Sequence, residues 1–237
     1  MKKIFSILAI VAVTVSVASG KILRRQLSIF QASVPETETL ALGNMEFVYD
    51  YRCIVDTTGS LEDNVSSDNM LLQIGPDGIS KFSSYKNLIV DSILMRSTSE
   101  QIADAALEGK LSTGEFMTIY KNYPHGRITH TEKICQDWFR YEEEMPRLDW
   151  EQTDSVANVL GYECHSARCM FRGREWTVFY TEDIPLMDGP WKFHGLPGLI
   201  MKASDENGHY TFECIGIKSQ ADRPITIYKV PFNKTDR

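Results

Sequence analysis

Chemistry in this chain would have to come from five histidines, two close acids and five cysteines. His194 sits three residues after Trp191, with Asp183 and Asp188 just upstream. An imidazole titrates near neutral pH and can carry protons, and a carboxylate beside it could do acid/base work. A secreted hydrolase built on His194 with Asp183 or Asp188 is therefore one reading. The chain lacks the supporting motifs, since it contains neither G-x-S-x-G nor H-E-x-x-H. Asp183 and Asp188 also have a plainer use, because Asp side chains cap loop N–H groups. His209 follows Asn207-Gly208 at a hairpin end, and His125 and His130 belong to a separate segment.

Cys53, Cys135, Cys164, Cys169 and Cys214 are odd in number, so they cannot all pair within one chain. Cys164 and Cys169 are the nearest pair and the candidate disulfide, although so short a loop gains little in chain entropy. No C-x-x-C spacing signals a metal, and no cofactor is indicated.

The densest motif is Gly195-Leu196-Pro197-Gly198-Leu199-Ile200. Pro197-Gly198 suits the centre of a type II turn, with Gly198 supplying positive φ. Gly195 would let the backbone pass close to another segment. Leu196, Leu199 and Ile200 would bury. The competing reading is a glycine-lined groove in which Trp191, His194, Gly195, Leu196, Pro197 and Gly198 contact a ligand. Arg172 and Arg174 flank Gly173 at a strand connection and are expected to face the acids of the 182–188 loop. Glu142-Glu143-Glu144 reads as a solvated turn.

The elements that must position these residues are mostly strands. Met45–Val55, Met70–Ile74, Ile79–Tyr85, 116–120, 127–139, 150–153, 156–160 with 162–171, 175–181, 199–203, 209–218 and 225–230 are rich in β-branched and aromatic residues. Gly75-Pro76-Asp77-Gly78 and Asp205-Glu206-Asn207-Gly208 predict hairpins. Residues 56–69 read as a loop. One helical segment is expected near 86–109, with a capping box at Ser97/Glu100 that would divide it near Arg96 and a stop at Gly109. Short turns between strands imply a mainly β (α+β) fold built on an antiparallel sheet.

The first twenty residues differ in kind. Met1-Lys2-Lys3 precedes an apolar run from Ile4 to Val17 and small residues at Ala18, Ser19 and Gly20. That is the pattern of a cleaved secretory signal peptide, and the run is short of the roughly 20 residues that span a bilayer. Its removal takes away two lysines and no acid, moving the net charge from −7 to −9. An acidic protein is repelled by nucleic acid. The expected layout is a signal peptide over 1–20, a lead-in over 21–43 and one β-rich domain over 44–237. The expected location is periplasmic or secreted, with no transmembrane span after cleavage.

The signature Gly195–Ile200 has company. Gly161-Tyr162-Glu163-Cys164, Phe171-Arg172-Gly173-Arg174, Phe179–Pro185, Gly189-Pro190-Trp191-Lys192-Phe193 and Gly208-His209-Tyr210 follow in fixed order, with Ile74-Gly75-Pro76 and Phe82–Leu94 upstream. Together, over roughly residues 44–230, they resemble the GLPGLI family of exported Bacteroidetes proteins. Cys169 departs from that pattern, which also leads one to expect a further strand or tail beyond Arg237. The resemblance implies an envelope protein with a curved antiparallel sheet or half-barrel like that of LolA-type lipoprotein carriers, and it implies no established activity. The aromatic residues, 11% of the chain, would favour an apolar or carbohydrate ligand if they line a concave face. The reading is a non-enzymatic binder of an apolar ligand or of an outer-membrane or periplasmic protein.

Overall fold

The computed structural model describes residues 34–57 and 64–235. The predicted signal peptide and the first part of the lead-in lie outside the described residues. Within them, twelve strands form one sheet in the order β12-β6-β5-β4-β3-β2-β1-β11-β10-β9-β8-β7. In chain order these are β1 (Thr37–Ile54), β2 (Val65–Ile74), β3 (Ser80–Ser84), β4 (Thr118–Lys121), β5 (Arg127–Ile134), β6 (Asp137–Glu144), β7 (Glu151–Val159), β8 (Tyr162–Phe171), β9 (Arg174–Thr181), β10 (Leu199–Asp205), β11 (Tyr210–Tyr228) and β12 (Phe232–Lys234). Two helices, α1 (Tyr85–Arg96) and α2 (Ser99–Leu107), join β3 to β4. The expected mainly β, curved sheet is found. It is mixed in one place, because β12 pairs with β6 in parallel.

Local chemistry explains most boundaries. Asp77 and Gly78 both take positive φ in the β2–β3 connection, and the two strands pair as an antiparallel hairpin. Leu160-Gly161 and Arg172-Gly173 supply paired positive φ values between β7, β8 and β9, the requirement of a two-residue hairpin turn. The helical segment is divided as expected, but the capping box is Thr98/Gln101, one residue beyond the predicted pair.

Other boundaries move. β1 begins at Thr37, inside the predicted lead-in, because residues 37–43 pair with Arg223–Tyr228. β2 begins at Val65, inside the predicted loop, because β1 supplies its partner. The single strand expected over 127–139 is a hairpin of β5 and β6, turning at Cys135 with φ 56°.

The sheet has two chemically different faces, since alternate side chains point opposite ways. One carries Phe47, Tyr49, Met70, Leu72, Phe82, Ile119, Val178, Ala203 and Phe212, all buried in one core. Residues 182–198, between β9 and β10, fold back over this face and add Ile184, Phe193 and Leu196 to the core. The opposite face carries Gln73, Lys81 and Thr129, buried but polar.

Candidate functional site

The signature is a structural fastening, with the two glycine roles exchanged relative to expectation. Gly195, not Gly198, has positive φ, +93°, so Pro197-Gly198 is not a type II turn. Gly198 instead makes the close approach: a Cβ there would overlap the backbone of Thr181 and Glu182. Leu196, Leu199 and Ile200 are buried as expected. The Tyr49 hydroxyl donates to the Ile200 carbonyl at 2.8 Å.

Buried charges hold the segment down. The Lys121 ammonium, 1% exposed, pairs with Asp188. It also donates to the carbonyls of Gly189 at 2.5 Å and Phe193 at 3.2 Å. Burial lowers the Lys121 pKa, against the opposing pull of Asp188. Lys192, also 1% exposed, reaches Glu143 at 2.6 Å and the Tyr141 hydroxyl at 2.7 Å. Arg172 bonds both oxygens of the same Glu143, at 2.7 and 2.6 Å. Burial pushes the Glu143 carboxyl up, but Lys192 and Arg172 outweigh it and hold the pKa below the usual range. Thus Glu143 lies in β6 as the shared partner of two cations, and the expected solvated turn is corrected. A run of three acids hid the fact that alternation turns the middle one inward.

Asp188 and His194 face each other across an isolated antiparallel bridge, and their side chains are taken up by other partners. Asp183 is exposed, while Asp188 is engaged by Lys121 and by the Gly189 N–H at 2.6 Å. The Nδ1 of His194 lies 3.0 Å from the Lys192 carbonyl. Burial pulls the imidazole pKa down, with Lys121 acting in the same direction. Its own carbonyl accepts from the Trp150 indole at 2.9 Å.

The candidate disulfide is also corrected. All five cysteines are free thiols, and Cys164 and Cys169 lie on the same strand, β8. Five residues of extended chain place them about 16 Å apart at ~3.3 Å per residue. A disulfide needs Cα atoms within roughly 7 Å.

Of the six predicted ligand-contacting residues, Trp191 lines an open groove. It does so with Phe171, Trp176, Tyr210, Arg172 and Arg174, around a space of about 250 Å³. Tyr51, Met117 and Phe212 complete the wall. Trp191 packs against Phe193 at 5.3 Å and Phe171 at 5.4 Å between ring centres. Its φ of 51° is a costly conformation for a bulky residue. The arginines stand over rings, Arg174 over Tyr210 at 4.8 Å and Arg172 over Phe171 at 5.1 Å. Arg174 pairs with the buried Asp205 at 2.6 Å. The arginines therefore pair with Glu143 and Asp205, not with the 182–188 acids. The Arg-Gly-Arg turn was the sequence signal for this wall, and its partners were out of reach of sequence reading.

Residues 122–202 match the family described as "Protein of unknown function (Porph_ging)", which is the GLPGLI family. No curated protein matches the chain. Among solved structures it is similar to PNGF-II in the P21 space group, with a TM-score of 0.52 at 13% identity, covering 82% of this chain and 32% of that one. The C2 form of PNGF-II gives a TM-score of 0.49 at 14% identity, covering 82% and 31%. The chain thus spans about a third of the solved relative it matches. At this identity the likeness concerns the fold. No helix among the described residues is long and apolar enough to cross a membrane.

Proposed function

We propose that this protein is an exported, non-enzymatic binding protein of a cell envelope that holds an apolar ligand in the groove beside Trp191. Export is supported by the sequence of residues 1–20. The observation that carries the binding reading is the groove of about 250 Å³ walled by rings. Ligand sites are typically concave, mostly apolar and edged by a few placed polar groups. Here Arg172 and Arg174 are those groups, each already fixed by a carboxylate. The indole of Trp191 lines the groove and packs on Phe193, two residues before the signature segment, which gives the family's most recognisable motif a use. Bending residues 182–198 over the sheet sets this wall in place. The His/Asp hydrolase reading gains no support from this arrangement, because Asp188 is paired with Lys121 of β4 and the His194 ring lies against the Lys192 carbonyl.

The test begins with native mass spectrometry of protein purified from the envelope, to detect a copurifying apolar molecule. Binding of that molecule is then measured by tryptophan fluorescence for the wild type and for Trp191→Ala. Truncating a central aromatic contact should weaken binding by roughly tenfold or more. Purification without any apolar molecule, or a folded Trp191→Ala variant that binds as tightly as the wild type, overturns the reading.

A further inference from the structure

A second cavity lies on the other side of the sheet. It holds about 130 Å³ between α1, β3, β4 and the end of β11, roughly the space of four water molecules at ~30 Å³ each. Thr113, Phe116 and Lys133 line both this cavity and a neighbouring cleft of about 260 Å³. The two spaces therefore adjoin, with these three residues as their common wall.

Lys81 forms part of the cavity wall. It is 7% exposed and donates to the Thr226 carbonyl at 2.9 Å. Asp91, on α1, lines the same space and accepts a hydrogen bond from the Tyr228 hydroxyl. Among the described residues, Lys81 and Asp91 make no ion pair with each other. Two groups able to carry opposite charge thus face one small cavity without closing it. The other titratable groups around Lys81 are Tyr120, whose ring centre is 5.8 Å from the amine, and Lys133 on the far wall. Burial lowers the Lys81 pKa to about 8, while Asp91 pulls the other way. Burial raises the Asp91 pKa, against Tyr228 and Lys81. A lysine desolvated in this manner has a sizeable neutral fraction near neutral pH, the condition for nucleophilic amine chemistry.

We propose that Lys81 is a reactive amine and that the cavity beneath α1 holds a small carbonyl compound, an aldehyde or ketone, as an imine on it. The neutral amine starts with one N–H on the Thr226 carbonyl and directs its lone pair at the carbonyl carbon. The C–N bond forms as the carbonyl oxygen takes up a proton, giving a carbinolamine. That hydroxyl leaves as water, taking a second proton, and the nitrogen gives up its hydrogens to form C=N. Amine plus carbonyl becomes imine plus water, with no oxidant or reductant. Asp91 lends the proton and regains it. Ser83 and Thr118 line the same cavity and offer hydroxyls to a polar substituent. The competing use of Lys81 is as a strut that ties β11 to β3, which calls for the hydrogen bond but not for reactivity.

The experiment is reductive trapping of the native protein with glycolaldehyde and cyanoborohydride, followed by peptide mapping. Lys110, whose side chain is 63% exposed, is the internal reference. Lys81 should be labelled on the order of tenfold faster than Lys110, because far more of it is neutral at pH 7.5. In urea that advantage should vanish. Lys81→Arg, which keeps a donor for Thr226, should lose the fast label and leave the slow ones. If that variant does not fold, the wild-type map still decides. Labelling of Lys81 no faster than Lys110 in the native protein overturns the proposal and leaves the strut.

Discussion

Replacing Asp188 by Asn tests the idea that charge fastens the signature segment to the sheet. The change keeps the shape and the acceptor of the Gly189 N–H but removes the only charge paired with Lys121 among the described residues. Lys121 is fully buried, so it becomes a charge with carbonyl partners alone. Breaking one side of a buried pair costs about 3–5 kcal/mol. That is a large part of the roughly 5–15 kcal/mol that holds a domain together. At about 2–4 °C per kcal/mol for a chain of this size, the melting temperature should fall on the order of 10 °C. Asp183→Asn is the control, since Asp183 is exposed and its loss should stay within about 0.5 kcal/mol. The pH dependence gives a second sign. Lys121 has its folded pKa lowered below 10.5. Between that lowered value and the unfolded value, the unfolded chain binds more protons, so stability rises with pH. Without Asp188, which pulls the pKa up, the window widens downward, and the deficit of Asp188→Asn should shrink as pH is raised toward 10. Thermal melts followed by circular dichroism between pH 7 and 10 measure both effects. A variant that melts within 2 °C of the wild type at pH 7, or a deficit that does not change with pH, would refute the reasoning.

Two further outcomes follow from the same geometry. Gly198→Ala should cost about 3 kcal/mol or more in urea unfolding, since its Cβ would meet the Thr181 backbone. Gly195→Ala, at φ +93° with the nearest atom 3.9 Å away, should cost only about 1–2 kcal/mol of backbone strain. The reverse ranking would restore the type II turn at Pro197-Gly198. Thiol labelling of the native protein should modify Cys135 first and Cys164, Cys169 and Cys214 last, matching exposed against buried positions. Burial also raises the thiol pKa of Cys169 to about 12 and of Cys214 to about 11, which slows their reaction. A Cys164–Cys169 crosslink in the peptide map would contradict the extended strand β8.

How much was readable without coordinates depended on distance along the chain. Strand type is written in alternation, as in Trp176, Val178 and Tyr180, whose shared face is buried. Turns are written in the residues that tolerate positive φ, such as Gly78, Gly161 and Gly208. The division between α1 and α2 and the burial of Leu196, Leu199 and Ile200 are likewise local, so the sequence alone established the β-rich fold and its principal hairpins. What it left open concerns residues far apart in the chain. Lys121 meets Asp188, Lys192 meets Glu143, and Arg174 meets Asp205, yet each alone reads as ordinary surface charge. The extension of β1 back to Thr37 waited on a partner at the other end of the chain. Which glycine bends and which is crowded depended on where Thr181 lies. Conformational preference acts over neighbouring peptide units, whereas pairing, crowding and desolvation are properties of the folded space, and those placed Trp191 at the edge of a groove.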